Sequence, residues 1–69
     1  MLDEQVFNLE MRRLLKRFGV SAQREVERAV WSAIEAGQLS GDEALQASVT
    51  LAIDSLSLRF HIEDTIALS

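Results

Sequence analysis

The chain has 69 residues, a net charge of −4, one histidine and no cysteine. This composition leaves room for one small core and excludes both a disulfide framework and a pair of histidines for a structural metal. Because so small a core gives only a few kcal/mol of net stability, well-ordered packing or self-association must supply the rest.

A first helix is predicted from Asp3 to Phe18, because apolar residues recur there at helical spacing. The stripe consists of Phe7, Met11, Leu14, Leu15 and Phe18. Gly19 supplies the left-handed position that commonly ends a helix, and Val20 could fold back onto Leu15 after it. We therefore expect the first helix to end at Gly19.

A second helix is predicted from Ala22 to Ala36, with Ser21 as its N-cap and Gly37 as its terminator. Its apolar face is also regular and contains several small residues. The members of this face are Ala22, Val26, Ala29, Val30, Ala33 and Ile34. The alanines favour close approach to another element.

After a linker at residues 38–43, the apolar period changes to two, which is typical of strands. A tight turn at Asp54-Ser55, or a four-residue loop in the same register, would close a first hairpin. That hairpin pairs Ile53 with Leu56, Leu51 with Leu58, Val49 with Phe60 and Ala47 with Ile62. A three-residue loop, Glu63-Asp64-Thr65, would lead into a short third strand and pair Ile62 with Ile66.

These elements predict a single small α+β domain over residues 1–69. Two N-terminal amphipathic helices pack on one face of a three-stranded antiparallel β-meander, in the order ααβββ. No transmembrane or signal segment is predicted, so a cytoplasmic location is expected.

The chain also resembles a family of short bacterial proteins of unknown function. The residues that carry the resemblance are Phe7-Asn8, Leu15–Ser21, Gln23–Glu27, the spaced positions Gly37, Leu39, Gly41, Glu43 and Leu45, and Val49–Leu51. The resemblance covers nearly the whole chain. It implies a small bacterial domain and no particular activity, ligand or catalytic residue.

Four cations, Arg12, Arg13, Lys16 and Arg17, form a candidate anion-binding or nucleic-acid-binding group. The simpler interpretation is a solvated face in the C-terminal half of the first helix, where cations interact favourably with the helix dipole. An overall pI near 4.8 argues against nucleic acid as the partner. The turn at residues 19–21 matches a helix-turn-helix motif poorly, because Glu25 and Arg28 hold positions that are usually apolar in that motif.

No catalytic, cofactor-binding or metal-binding residues are predicted, and we expect the protein not to be an enzyme. His61 is predicted on the polar face of a strand beside Arg59, and no second histidine offers a metal pair. Ser21 is interpreted as a cap, and the other serines lack a positioned base.

Trp31 is the strongest candidate for a contact with another protein. It lies beyond the apolar face of its helix, where it either covers the edge of the core or forms a partly exposed aromatic anchor. Leu2 and Leu9 also lie off the main stripe. The leading hypothesis is a non-enzymatic interaction module that binds another protein or a second copy of itself as a homodimer, with anion or nucleic-acid binding as the alternative.

Overall fold

A computed structural model describes all 69 residues as two units, Met1–Ala36 and Gly37–Ser69. The first unit is one long helix, α1, from Glu4 to Glu35. The second is an antiparallel hairpin of β1 (Ala44–Ile53) and β2 (Leu58–Ala67). The prediction of two helices and a three-stranded meander is therefore wrong, although helical and strand segments follow each other in the expected order.

Capping residues define both ends of α1. The Asp3 carboxylate accepts hydrogen bonds from the backbone amides of Gln5 and Val6, each at 3.1 Å, and so satisfies two amides of the first turn. At the other end, Ala36 is the C-cap and Gly37 adopts a left-handed φ of +78°. The predicted terminator at Gly37 is confirmed.

The helix continues through Gly19 and Ser21, where the sequence predicts a turn. The glycines with positive φ are Gly37 and Gly41, so Gly19 does not take the conformation that ends a helix. A glycine inside a helix costs about 1 kcal/mol relative to alanine, which the good helix formers on either side can offset. The predicted helix end at Gly19, the contact of Val20 with Leu15 and the cap at Ser21 are all wrong for this reason.

The turn between the strands is Asp54–Ser57, which is longer than the predicted two-residue turn and begins one residue later than the alternative four-residue loop. A single 3-10 turn spans Asp54–Leu56, and Ser57 follows in the left-handed region with φ of 51°. The amide of Ser57 donates to the carbonyl of Asp54 at 3.0 Å. Compared with the predicted register, every pair is displaced by two residues. The hairpin pairs Ile53 with Leu58, Leu51 with Phe60, Val49 with Ile62 and Leu45 with Ile66.

The predicted second turn does not exist. Glu63, Asp64 and Thr65 lie inside β2, which runs without interruption to Ala67. The amide of Leu68 then donates to the carbonyl of Glu43 at 3.0 Å and extends the ladder by one more bond. A sheet of two strands has an unpaired edge along each of them.

No side chain is buried, so neither unit contains a core. Most apolar residues nevertheless lie on one side of each unit. The candidate functional features of both units are therefore surfaces.

Candidate interaction surfaces

The first surface, which we name the helix stripe, is the apolar side of α1. Its members are Phe7, Met11, Leu14, Leu15, Phe18, Ala22, Val26, Ala29 and Ala33. Phe7 and Phe18 are 52% and 50% exposed, which is high for aromatic side chains. Because α1 is continuous, the first predicted face and four of the six residues of the second face join into this stripe. The other two, Val30 and Ile34, lie about 100° and 140° from its centre on a helical wheel.

The stripe repeats every 11 residues: Phe7, Phe18 and Ala29 form one series, and Met11, Ala22 and Ala33 form another. Eleven residues in three turns is a period of about 3.67 residues, close to the 3.6 of a straight helix. The stripe therefore stays on one side along the full length of α1, which is about 48 Å at 1.5 Å per residue.

The second surface, which we name the hairpin face, is one side of the two-stranded sheet. Directly opposed residues point to the same side, and the observed register places nine apolar residues together. They are Leu45, Ala47, Val49, Leu51, Ile53, Leu58, Phe60, Ile62 and Ile66. Phe60 is 57% exposed near the centre of this face. The displacement of the register by two residues preserves the predicted apolar side.

Asp64 is the one charged residue on the hairpin face, where it stands opposite Ala47. Its carboxylate accepts a hydrogen bond from the amide of Thr65 at 2.8 Å. Because Asp64 was predicted in a loop, its position on the hairpin face was not predicted. The signal that could have revealed it is the alternation itself, which continues from Leu58 to Ile66 without a change of phase.

The candidate contact residues Leu9 and Trp31 share one side of α1 with Val20, since each is 11 residues from the next. This side lies about 180° from the helix stripe on a helical wheel. Leu9 and Trp31 are 66% and 65% exposed, but they are about 33 Å apart along the helix. Leu2 precedes the N-cap, so Leu2, Leu9 and Trp31 do not form one continuous patch.

The basic group Arg12, Arg13, Lys16 and Arg17 lies off the helix stripe and spreads over about 140° of the wheel. The Arg13 guanidinium pairs with Glu10 at 2.8 Å on the exposed surface. The group lies in the first half of α1, and the last turn has no basic residue. The expectation that the dipole of a short helix stabilises these cations is therefore wrong, and anion binding stays a prediction.

The other side of the sheet is polar. Thr50 and His61 are cross-strand partners, with Thr50 Oγ1 and His61 Nδ1 2.7 Å apart. His61 Nε2 lies 3.9 Å from a carboxylate oxygen of Glu63. The predicted position of His61 on a polar face is confirmed.

The linker contains a local carboxylate cluster. The Glu43 carboxylate accepts hydrogen bonds from the backbone amide of Ser40 at 2.9 Å and from that of Gly41 at 3.0 Å. These donors, that of Ser40 first, lower the pKa of the Glu43 carboxyl from 4.5 to about 2. The arrangement holds the turn before β1, as expected for an acid that caps a turn.

No group of three histidine, cysteine, aspartate or glutamate side chains is arranged to hold a metal ion. No helix combines the length and the apolar character that crossing a membrane requires.

The geometry defines a class of small α+β chain, in which an amphipathic helix precedes a β-hairpin and each unit exposes one apolar surface. Residues 2–69 match DUF6494, a family of unknown function, and the chain therefore belongs to that family. The resemblance to a family of unknown function is confirmed, and its bacterial source stays a prediction. No curated protein and no solved structure matches the chain.

Proposed function

We propose that this chain is a non-enzymatic protein–protein interaction module that binds a second copy of itself. The observation that carries the proposal is the exposure of the helix stripe and the hairpin face in a chain that buries no side chain. Burial of apolar surface stabilises a protein by about 25 cal/mol for each Å² removed from water, so binding that covers either surface is favourable.

The areas of these surfaces match those of a stable interface. An apolar stripe about 100° wide on a helix of about 10 Å diameter and 48 Å length amounts to roughly 400 Å². Two strands of ten residues present a face of about 34 Å by 10 Å, or roughly 340 Å². Two copies together would remove about 1,400–1,500 Å² from water, which lies within the range of specific protein interfaces.

The hairpin gives a second argument. An isolated two-stranded hairpin is marginally stable in water, because two strands alone cannot cover their apolar side. The chain has no disulfide or metal group to compensate for this. Covering Phe60 and its neighbours on the hairpin face supplies the missing stabilisation, and a second copy brings an apolar surface of matching size.

The test is sedimentation velocity over the micromolar concentration range, with helicity followed by circular dichroism. We expect the wild-type chain to sediment as an oligomer and to dissociate on dilution. Phe18→Gln removes an aromatic ring from the centre of the helix stripe, so its dissociation should move to a higher concentration by at least tenfold. Lys16→Gln introduces the same residue two positions away, off the stripe, and should change the dissociation concentration by much less than Phe18→Gln.

A wild-type chain that is folded and monomeric at every concentration would refute self-association. Equal effects of Phe18→Gln and Lys16→Gln would show that the helix stripe is not the contact surface.

A further inference from the structure

We infer that two copies pair through their helix stripes in antiparallel orientation, with opposed residues whose numbers add up to about 40. The inference builds on the proposed self-association and adds its geometry. The side chains of the stripe become smaller along the helix. The half before Gly19 carries large residues, such as Phe7 and Phe18, whereas the half after it carries mainly alanines, such as Ala22 and Ala33.

Antiparallel pairing matches most of the large residues with a smaller one. The opposed pairs are Phe7 with Ala33, Met11 with Ala29, Leu15 with Val26 and Phe18 with Ala22. Because the separation of packed helices depends on the side chains between them, such pairs keep the two axes at an even distance. Parallel pairing would place phenylalanine on phenylalanine at one end and alanine on alanine at the other, which leaves either overlap or a gap.

The charges favour the same orientation. Between Glu4 and Phe18 there are four cations and two acids, a net +2, whereas between Gly19 and Glu35 there are two cations and three acids, a net −1. Antiparallel helices bring unlike halves together, and parallel helices bring like halves together. Such complementarity adds orientation specificity to a contact whose energy is mainly apolar.

The same pairs would meet within one chain if the helix turned back near Gly19. In the continuous helix, however, Met11 and Ala29 lie about 27 Å apart, so one chain cannot form these pairs. Exchange of an element between two identical chains satisfies contacts that a straightened hinge removes, and it is a common route to dimers. Because α1 is straight, these helix-to-helix pairs can form only between two chains.

The chain contains no cysteine, so disulfide trapping can read the register directly. The experiment uses the full-length Met11→Cys and Ala29→Cys variants, alone and refolded together, under mild oxidation. We expect no disulfide in either variant alone and a mixed disulfide dimer in the combined sample, because a disulfide needs Cα atoms within about 7 Å. Leu15→Cys with Val26→Cys repeats the test at an independent layer.

The double variant Met11→Cys/Ala29→Cys separates contacts within a chain from contacts between chains. We expect oxidised material at the mass of two chains. An oxidised species at the mass of one chain would mean that the helix folds back on itself, and this would overturn the inference.

The other outcomes are equally distinct. Disulfides in each single variant, with no mixed disulfide in the combined sample, would indicate parallel helices and overturn the inference. A wild-type dimer whose two variant pairs both fail to cross-link would refute the antiparallel register and leave the proposed self-association intact. A monomeric wild-type chain would refute both.

Discussion

Replacement of Gly19 by alanine tests whether α1 is continuous. Gly19 has no positive φ, and a Cβ built on it meets nothing within 4 Å. Alanine therefore fits without strain and removes the conformational freedom of glycine from the unfolded chain. We expect Gly19→Ala to stabilise the protein by about 1 kcal/mol per chain, which is the difference between the two residues inside a helix.

The assay is urea denaturation followed by circular dichroism, with every variant at the same chain concentration because association shifts apparent stability. For a slope of about 1 kcal/mol per M, the midpoint should rise by roughly 1 M urea. Helicity before the transition should stay equal or increase slightly.

Gly37 provides a matched control with the opposite sign. A Cβ on Gly37 also meets nothing within 4 Å, but its φ of +78° is unfavourable for alanine. Gly37→Ala should therefore destabilise the chain by about 1–2 kcal/mol. If Gly19→Ala destabilises by a similar amount, the backbone at Gly19 is left-handed and the helix turns there.

Three further predictions concern the ends and turns of the elements. Asp3→Ala removes the N-cap of α1 and should cost about 1 kcal/mol in urea denaturation, whereas Asp3→Asn keeps a side-chain acceptor at the cap and should retain most of the stability. Ser57→Gly relieves the left-handed φ at the hairpin turn and should stabilise by about 1 kcal/mol, and an unchanged midpoint would contradict the observed turn. The lowered pKa of Glu43 means that its contribution is complete above pH 4.5 and is lost as the pH falls toward about 2. Amide exchange at Ser40 and Gly41 should therefore accelerate over that interval relative to the intrinsic rate, and Glu43→Gln should abolish the dependence.

The apolar sides of both units are predictable from the sequence, but their connections are not. The helical spacing from Phe7 to Phe18 defines the apolar side of α1, whatever element packs against it. The alternation from Leu45 to Ile53 defines the apolar side of β1 in the same way. Gly19 is ambiguous because the penalty for glycine inside a helix and the gain from a left-handed cap are both about 1 kcal/mol. Only the length of favourable helix on both sides decides between them.

The hairpin register could not be predicted for a different reason. Moving the pairing by two residues keeps every side chain on its side, so matching apolar residues selects the side and not the partner. The polar run Glu63-Asp64-Thr65 looked like a turn, although Glu63 and Thr65 fit the polar side of a longer strand. Among the candidate contact residues, the exposure of Trp31 agrees with its position beyond the apolar side, whereas its contribution to binding stays a prediction.

Asp64 opposes the growth of identical copies into fibrils. A sheet with two unpaired edges and one apolar side is prone to stack and lengthen into fibrils. In-register stacking of hairpins would bring the Asp64 carboxylates of successive copies together in a dry layer, where their repulsion and dehydration oppose it. A single acid between Ile62 and Ile66 thus favours an assembly with a fixed number of chains over a fibre.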